Sequence, residues 1–588
     1  MAGQGQPRRS KGSCQTRQRS IQGTCRQLTG ARVKPDSPKK PRAIDLYSGV
    51  GGWSLGLTLA GVEVVASYEM WGAANETNFK NNGHQAQTVD IRRLALTDLP
   101  TDINFVVGSP PCTQFSFSNR GGSGDIADGL QDIICFLRIV DHLRPQVWAM
   151  ENVPRVAKII MAELEPGGAL SEFRHLGCVP HVVDMADFGL PQRRRRCIAG
   201  NFDFELLQSY RAGLPRQTLG DVVTALSSEP VVDPLFGIQL TRDELIDHVV
   251  EDLLSDEEER INRASKTTHP IYNAMPFPDP LDRTVRTITA TCTRVSRESI
   301  VIEAPSHPIS LRRLTLRERA SLQGFPITFQ FYGRSFGQKL RMIGNAFPPV
   351  FAYFMGKSLQ AAPRHDIALL DRVGSTLKRP APVPLETPPD RMGAKYPVDR
   401  NFKFAIPSLQ LKSGVRFEFA NSFDGDVVRW RIAFYFGTSK MIQSISLDRE
   451  LGESLKGQMS DDAREVVTPQ LIQLEQTISA ADIANMQGLW AHRGPGGTRA
   501  FMVLDELDRI GAMIAGALDD HRAEAACLIE RTIEREFGPD GSAIGVAKLV
   551  RNAPRILAGL LVATTVNPIF DEHSRRDPGR ERRRSPVV

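Results

Sequence analysis

Short apolar strands alternating with helices constrain this chain most, because that order points to a parallel α/β sheet. Arg42-Ala-Ile-Asp-Leu-Tyr47 reads as a strand that runs straight into Ser48-Gly-Val-Gly-Gly-Trp-Ser-Leu-Gly56. A helical stretch follows, then a second apolar strand, Val62-Glu-Val-Val-Ala-Ser-Tyr-Glu69, ending in an acid. Phe105-Val-Val-Gly-Ser109 and Val147-Trp-Ala-Met-Glu151 repeat the pattern, with a helix predicted over 130–143 between them. Ligands of such sheets bind at the carboxyl ends of the strands. Gly49–Gly52, Glu69, Asp90, Cys112 and Glu151 all fall there.

From about 201 to 310 the pattern loosens. An acidic helix is predicted over 241–260, followed by the Thr/Arg-rich stretch 283–297. Regular α/β character returns over 314–361, and the Pro-rich stretch 379–389 reads as a linker. Beyond it, 415–419 and 428–436 are β-like, with Asp424-Gly425 as a turn, and mostly helical sequence follows to about 567. Phe417, Phe419, Trp430 and Phe434 alternate with Arg429 and Arg431 as a half-buried sheet requires, which favours core over a nucleic-acid platform.

Charge sorts by region. Residues 1–42 hold eleven Lys/Arg against one acid, and 574–588 hold six Arg against two. Since the whole chain is +6, residues 43–573 sum to −8. Basic ends suggest contact with a polyanion or a solvated extension. The eight cysteines among 588 residues are sparse and form no C-x-x-C pair, so reduced thiols in a cytoplasmic chain are expected. The longest apolar run, 556–566, is about half a membrane span, and no signal peptide is evident, so no membrane partner is expected.

The loop Asp45-Leu-Tyr-Ser-Gly-Val-Gly-Gly52 is not the dinucleotide G-x-G-x-x-G, because position 54 is Ser. With Glu69 placed to accept from ribose hydroxyls, Asp90 near an adenine amino group, and Tyr47 and Trp71 offering apolar faces, the set fits a nucleoside ligand without a pyrophosphate. Gly108-Ser-Pro-Pro-Cys112 puts a thiol on a rigid loop at the mouth of the sheet, followed by Gly121-Gly-Ser-Gly124, a candidate lid. Gln192-Arg-Arg-Arg-Arg196 concentrates four guanidiniums.

Together and in order, these segments resemble the DNA (cytosine-5) methyltransferases. Asp45 to Gly52 resembles the first motif, Pro111-Cys112 with Phe115-Ser116 the nucleophile loop, and Glu151-Asn152-Val153 the ENV motif. Gln192-Arg-Arg194-Arg-Arg196 fits Q-x-R-x-R; Arg312 to Glu318 with Gln323-Gly-Phe-Pro326, and Gly344-Asn345-Ala-Phe-Pro-Pro349, are similar to the closing segments. Departures are Tyr47 for Phe, Thr113 where Gln commonly follows the cysteine, Phe347 for Val, and Arg341-Met-Ile for the usual Q-I opening.

The resemblance implies a Rossmann-like, mostly parallel methyltransferase fold with a small target-recognition domain and a C-terminal α+β domain. It divides the chain into a basic arm (1–41), a catalytic domain (42–200 and 311–361), a target-recognition region (201–310), a linker (362–392), an accessory domain (393–570) and a basic tail (571–588). It implies S-adenosyl-L-methionine held by Tyr47, Ser48, Gly49, Gly51, Gly52, Glu69, Met70, Asp90, Ile91, Pro111, Asn345 and Ala346, with no metal. Cys112 is expected to add to cytosine C6, and Glu151 to stabilise the adduct in surroundings that favour its protonation. Arg194 is expected to bind the cytosine carbonyl and polarise the thiol, and Arg196 to contact phosphate or pack structurally. The base must leave the stack to reach Cys112. Arg283, Arg286, Arg294 and Arg297 are the expected DNA contacts, and Thr287-Ile-Thr resembles a short element of the recognition region, while the acidic helix is expected to face away from DNA.

The implied partner is double-stranded DNA, met as a monomer, with a separate cognate restriction endonuclease as a possible companion. A tRNA methyltransferase of the same family is the alternative; this chain has no Cys-Phe-Thr segment of the kind that branch carries. A non-catalytic DNA-binding relative is expected to lack Cys112, Glu151 or the glycine loop, and all are present. A nuclease in the accessory domain would show an acid followed by Glu-x-Lys, whereas Glu453-Ser-Leu-Lys456 has the wrong spacing.

Overall fold

The computed structural model describes residues 39–115, 124–268, 273–305, 307–411, 414–425, 427–438, 441–494, 496–538 and 546–574. The arm before 39, the tail after 574, and Gly121-Gly-Ser of the candidate lid lie outside the described residues.

Strand β1 (Arg42–Leu46), helix α1 (Gly52–Leu59), β2 (Glu63–Glu69), α2 (Gly72–Asn82), β3 (Gln85–Thr88), β4 (Phe105–Gly108), α3 (Ile126–Leu143), β5 (Val147–Asn152), α4 (Val156–Glu163), β6 (Val179–Asp184), β7 (Gln192–Arg193) and β8 (Arg195–Gly200) follow in order. Among the described residues seven strands form one sheet in the order β3-β2-β1-β4-β5-β8-β6. β1 to β5 are mutually parallel, and β8 runs antiparallel to both β5 and β6. Helices cover both faces, which is why nearly every residue of β1 and β4 is buried. The chain leaves β1 to one side for β2 and β3 and returns to the other for β4, so a crevice opens beyond the carboxyl ends of β1 and β4.

The inserted strand β8 matters for chemistry. It enters the sheet against the direction of β5, pairing Cys197 with Asn152 and Ile198 with Glu151. Its first residues therefore stand at the carboxyl edge of the parallel strands, beside the crevice. The helix Pro349–Leu359 packs on α1 so closely that a Cβ at Gly56 would lie 2.2 Å from the Ala352 methyl.

In the recognition region the structure corrects the predicted acidic helix. Residues 241–255 hold only a short turn, Arg242–Glu244, and the helix spans Asp256–Thr267. Ser255 accepts from the Glu258 amide while the Glu258 carboxylate accepts from the Ser255 amide, so the helix starts at this capping box. The Pro-rich stretch is also not a free linker. Tyr332 donates to the Pro382 carbonyl, Lys339 to that of Leu385, and Glu386 accepts from the Asp247 amide, strapping it to both segment 311–361 and region 201–310.

The C-terminal part is a four-stranded antiparallel meander, Lys403–Ala405, Arg416–Asp424, Val427–Thr438 and Met441–Gln443, packed on helices. Phe417, Phe419, Trp430 and Phe434 are buried, as their alternation requires. The segment Ala553–His573 is long and apolar enough to cross a membrane, but 83% of its apolar window is buried inside this domain. It is the core helix, with Gly559 against the Phe417 ring.

Candidate active site

The glycine-rich loop leaves β1 with Gly49 at φ +53, and a Cβ there would meet nothing within 4 Å. Gly52 serves a different purpose: a Cβ on it would lie 1.8 Å from the Phe347 carbonyl oxygen, so the closing segment can seal the loop only over glycine. Trp53 stacks on Phe347 at 3.8 Å between ring centres. Beneath the loop Asp45 is fully buried and accepts from the Ser54 hydroxyl (2.6 Å) and amide (3.2 Å) with one oxygen only. Burial pushes its pKa up to about 7, with a smaller push from Glu69. Its other oxygen and the buried Ser48 hydroxyl have no partner.

Glu69, at the end of β2, accepts from the Gly49 amide (3.0 Å) and the Trp71 amide (2.7 Å), and burial raises its pKa. Each carboxylate oxygen keeps a lone pair for a further donor. Asp90 caps a short turn by accepting from the Arg92 amide at 3.0 Å. Met70 is 69% exposed at the rim, Pro111 and Asn345 are exposed, and Ile91 is buried in the core below. Unpartnered buried polar atoms under an open glycine, beside an acid at the end of β2, fit a nucleoside carrying a short charged chain. Ser48, Gly49 and Glu69 are the residues that would hold it.

Arg92 bridges Asp128 (2.8 Å) and Asp132 (2.7 Å) of α3, and the Tyr47 hydroxyl donates to Asp132 at 3.2 Å. Gln114 donates to Asp128 (3.1 Å) and accepts from the Asp125 amide (3.0 Å). The cofactor-side loop and the cysteine loop are thereby tied to the same first turns of α3. Gln114 was not singled out from sequence; its displacement by one position from the usual place after the cysteine was the available signal.

Cys112 is exposed at the crevice. The Asn152 side chain donates to the Pro110 carbonyl at 3.1 Å and fixes the loop that carries it. The protein bulk around the thiol raises its pKa, the Glu151 carboxylate adds to this, and Arg196 and Arg194 oppose it. Glu151 is 9% exposed and lies in an ion pair, with Arg196 Nε 2.9 Å from its Oε1. Arg196 is partly exposed and packs on this carboxylate, the structural one of the two roles expected for it.

Arg194 is 3% exposed and donates to the carbonyls of Ile288 (3.4 Å), Gly344 (3.2 Å) and Ala346 (3.1 Å), joining the recognition region to the closing segment. Its Nε has no partner, and burial lowers its pKa to about 9 with help from Arg196. Gln192 and Gln323 complete this joint: Gln192 donates to Gln323 (2.7 Å) and accepts from the Ile288 amide (2.7 Å), and Gln323 donates to the Ala346 carbonyl (2.6 Å).

Of the four arginines expected on DNA, Arg283 is exposed. Arg286 pairs with Asp279, and Arg297 donates to the Ser265 and Asn273 carbonyls. Arg294 is a correction: it is 4% exposed, locked between Glu251 and Glu258, because two buried carboxylates need a cation. It has no side-chain surface to offer a phosphate.

An open glycine loop after β1, an acid at the end of β2 and an exposed thiol after β4 beside the Arg196–Glu151 pair thus meet at the carboxyl edge of a doubly wound sheet. The family description "C-5 cytosine-specific DNA methylase" matches residues 42–361, more than half of the chain, and the chain belongs to that family. Its methyl donor is S-adenosylmethionine, and it is a DNA cytosine-5 methyltransferase. The Type II methyltransferase M.HgiDI of Herpetosiphon aurantiacus is 29% identical over 325 residues, covering 54% of this chain and 94% of that protein. The Type II methyltransferase M.XorII of Xanthomonas oryzae pv. oryzae is 26% identical over 388 residues, covering 55% and 86%. The family match leaves 362–588 unaccounted for.

Proposed function

We propose that this enzyme methylates C5 of a cytosine within one short duplex sequence, acting as the methylase of a restriction-modification system in the cytoplasm. The observation that carries the chemistry is the exposed Cys112 thiol beside the Arg196–Glu151 pair, on a loop gripped by Asn152. Cytosine must be flipped to reach it. The Cys112 thiolate adds to C6, which makes C5 nucleophilic, and Glu151 holds N3; Arg194, buried on the Ile288, Gly344 and Ala346 carbonyls, supports the site from behind and not the ring carbonyl as expected. Bound S-adenosylmethionine supplies the electrophilic methyl group. Loss of the C5 proton then lets the Cys112 sulfur depart with the electrons of its C6 bond, restoring the ring. Residues 201–310 supply sequence recognition, with Arg283 exposed for backbone contact.

A duplex carrying 5-fluorocytosine tests this, since fluorine in place of the C5 proton blocks the final elimination. A denaturant-stable complex that requires Cys112 supports the addition step; free protein and free DNA after denaturation contradict it.

A further inference from the structure

The helix Asp256–Thr267 of the recognition region meets the C-terminal domain, and its two edges have different neighbours. Glu257, Arg260 and Ile261 share a face at the helical spacing of three and four. Glu257 accepts from Arg400 (3.1 Å) and His492 (3.1 Å) of the C-terminal domain. Arg400 is itself clamped between the Tyr396 and Trp490 rings at 3.6 and 3.5 Å. Arg260 makes a two-pronged contact with Asp505 and lies 4.3 Å over the Phe501 ring. Ile261 is part of the C-terminal core itself, and Val295 of the Arg-rich stretch packs against the same core.

The other edge faces that stretch. Glu258 binds Arg294 with both oxygens (2.5 and 2.8 Å), and the Asn262 amide donates to the Arg294 carbonyl at 2.8 Å. The same stretch runs back through Val285–Arg286, which pairs with β7, to Ile288, whose carbonyl accepts from Arg194. An unbroken series of packed and hydrogen-bonded groups thus runs from the C-terminal domain to the catalytic arginine strand.

We propose that the C-terminal domain acts in target recognition, as an abutment that fixes segment 283–297 against the catalytic domain through helix 256–267. This rests on the reading of 201–310 as the recognition region. A free-standing appended module would need neither a residue of the recognition helix in its core nor a clamped arginine reaching out to that helix.

The test uses the full chain with Arg260→Asp, Asp505→Arg and the double exchange, and Arg400→Gln as an independent break of the second anchor. Each single change is expected to raise KM for cognate duplex by about tenfold and to loosen discrimination against near-cognate sites. Neither kcat nor S-adenosylmethionine affinity by direct titration should move beyond about twofold, and the exchange should restore KM. Amide hydrogen exchange over 283–297 should quicken in the single variants and recover in the exchange. Unchanged KM and unchanged exchange in both Arg260→Asp and Arg400→Gln overturn the proposal. So does an equal loss of S-adenosylmethionine affinity, which marks general unfolding. A wild-type chain that methylates no duplex contradicts the proposed function instead, and the exchange data still decide the coupling.

Discussion

Arg196 Nε stands 2.9 Å from Glu151 Oε1, while Arg194, two residues earlier, turns into the protein and grips the closing segment through the Gly344 and Ala346 carbonyls. Arg194 falls in the break between β7 and β8, outside both strands, so strand geometry does not hold it on the face of Arg196, and the antiparallel entry of β8 puts Arg196 on the Glu151 carboxylate. Both pull the Cys112 thiol pKa down against the larger push of burial.

Arg196→Gln should therefore reduce kcat/KM by about a hundredfold. With the thiolate as nucleophile, wild-type kcat/KM should climb with pH across the neutral range, because the thiol lies above its ordinary value. In Arg196→Gln one opposing cation is gone, so the rising limb should move to higher pH. Coincident profiles for the two proteins would separate Arg196 from the thiol.

Gln114 ties the cysteine loop to α3 through Asp128 and the Asp125 amide. Gln114→Ala should lower the single-turnover methylation rate by about tenfold with S-adenosylmethionine affinity nearly unchanged, since it removes orientation and no reacting group. Asn152→Ala should cost more, because its bond to the Pro110 carbonyl is buried.

Asp45 carries a stability signature. Its folded pKa is about 7, well above the unfolded value near 4, so between those values the folded chain binds a proton that the unfolded chain does not. Stability should fall as pH rises through that window. Asp45→Asn keeps the Ser54 contacts and removes the charge, so its Tm should gain on wild type by about 2–4 °C from pH 5 to pH 8. A constant Tm difference would show that Asp45 titrates normally.

Arg283 and Arg294 should behave oppositely. Arg294→Ala leaves Glu251 and Glu258 short of their shared cation and should destabilise the chain by about 3–5 kcal/mol in denaturant unfolding. Arg283→Ala should leave stability unchanged, weaken DNA binding, and lower the salt dependence of that binding by about one unit.

The sheet was legible wherever strands are buried on both faces: β1, β2, β4 and β5 begin and end within about a residue of the apolar runs. The placement of Cys112 and Glu151 at the carboxyl edge of the sheet was legible because the apolar strands before them are, and the structure puts both there. The division of labour between Arg194 and Arg196 was not, since it depends on the direction of β8. The recognition region misled for a related reason. Four consecutive acids, Asp256 to Glu259, look solvated in one dimension, yet Glu258 is buried on Arg294 and Glu257 meets the C-terminal domain. Arg294 reads as a DNA ligand by composition and is a core cation by contact.

The most direct test of the account is methyl transfer from labelled S-adenosylmethionine to unmethylated duplex DNA, wild type against Cys112→Ser, with the product mapped base by base. Label is expected on C5 of cytosine in a single short sequence context, abolished in the variant while S-adenosylmethionine still binds. Label on another atom, transfer that survives in Cys112→Ser, or acceptance of RNA and not of duplex DNA would contradict it.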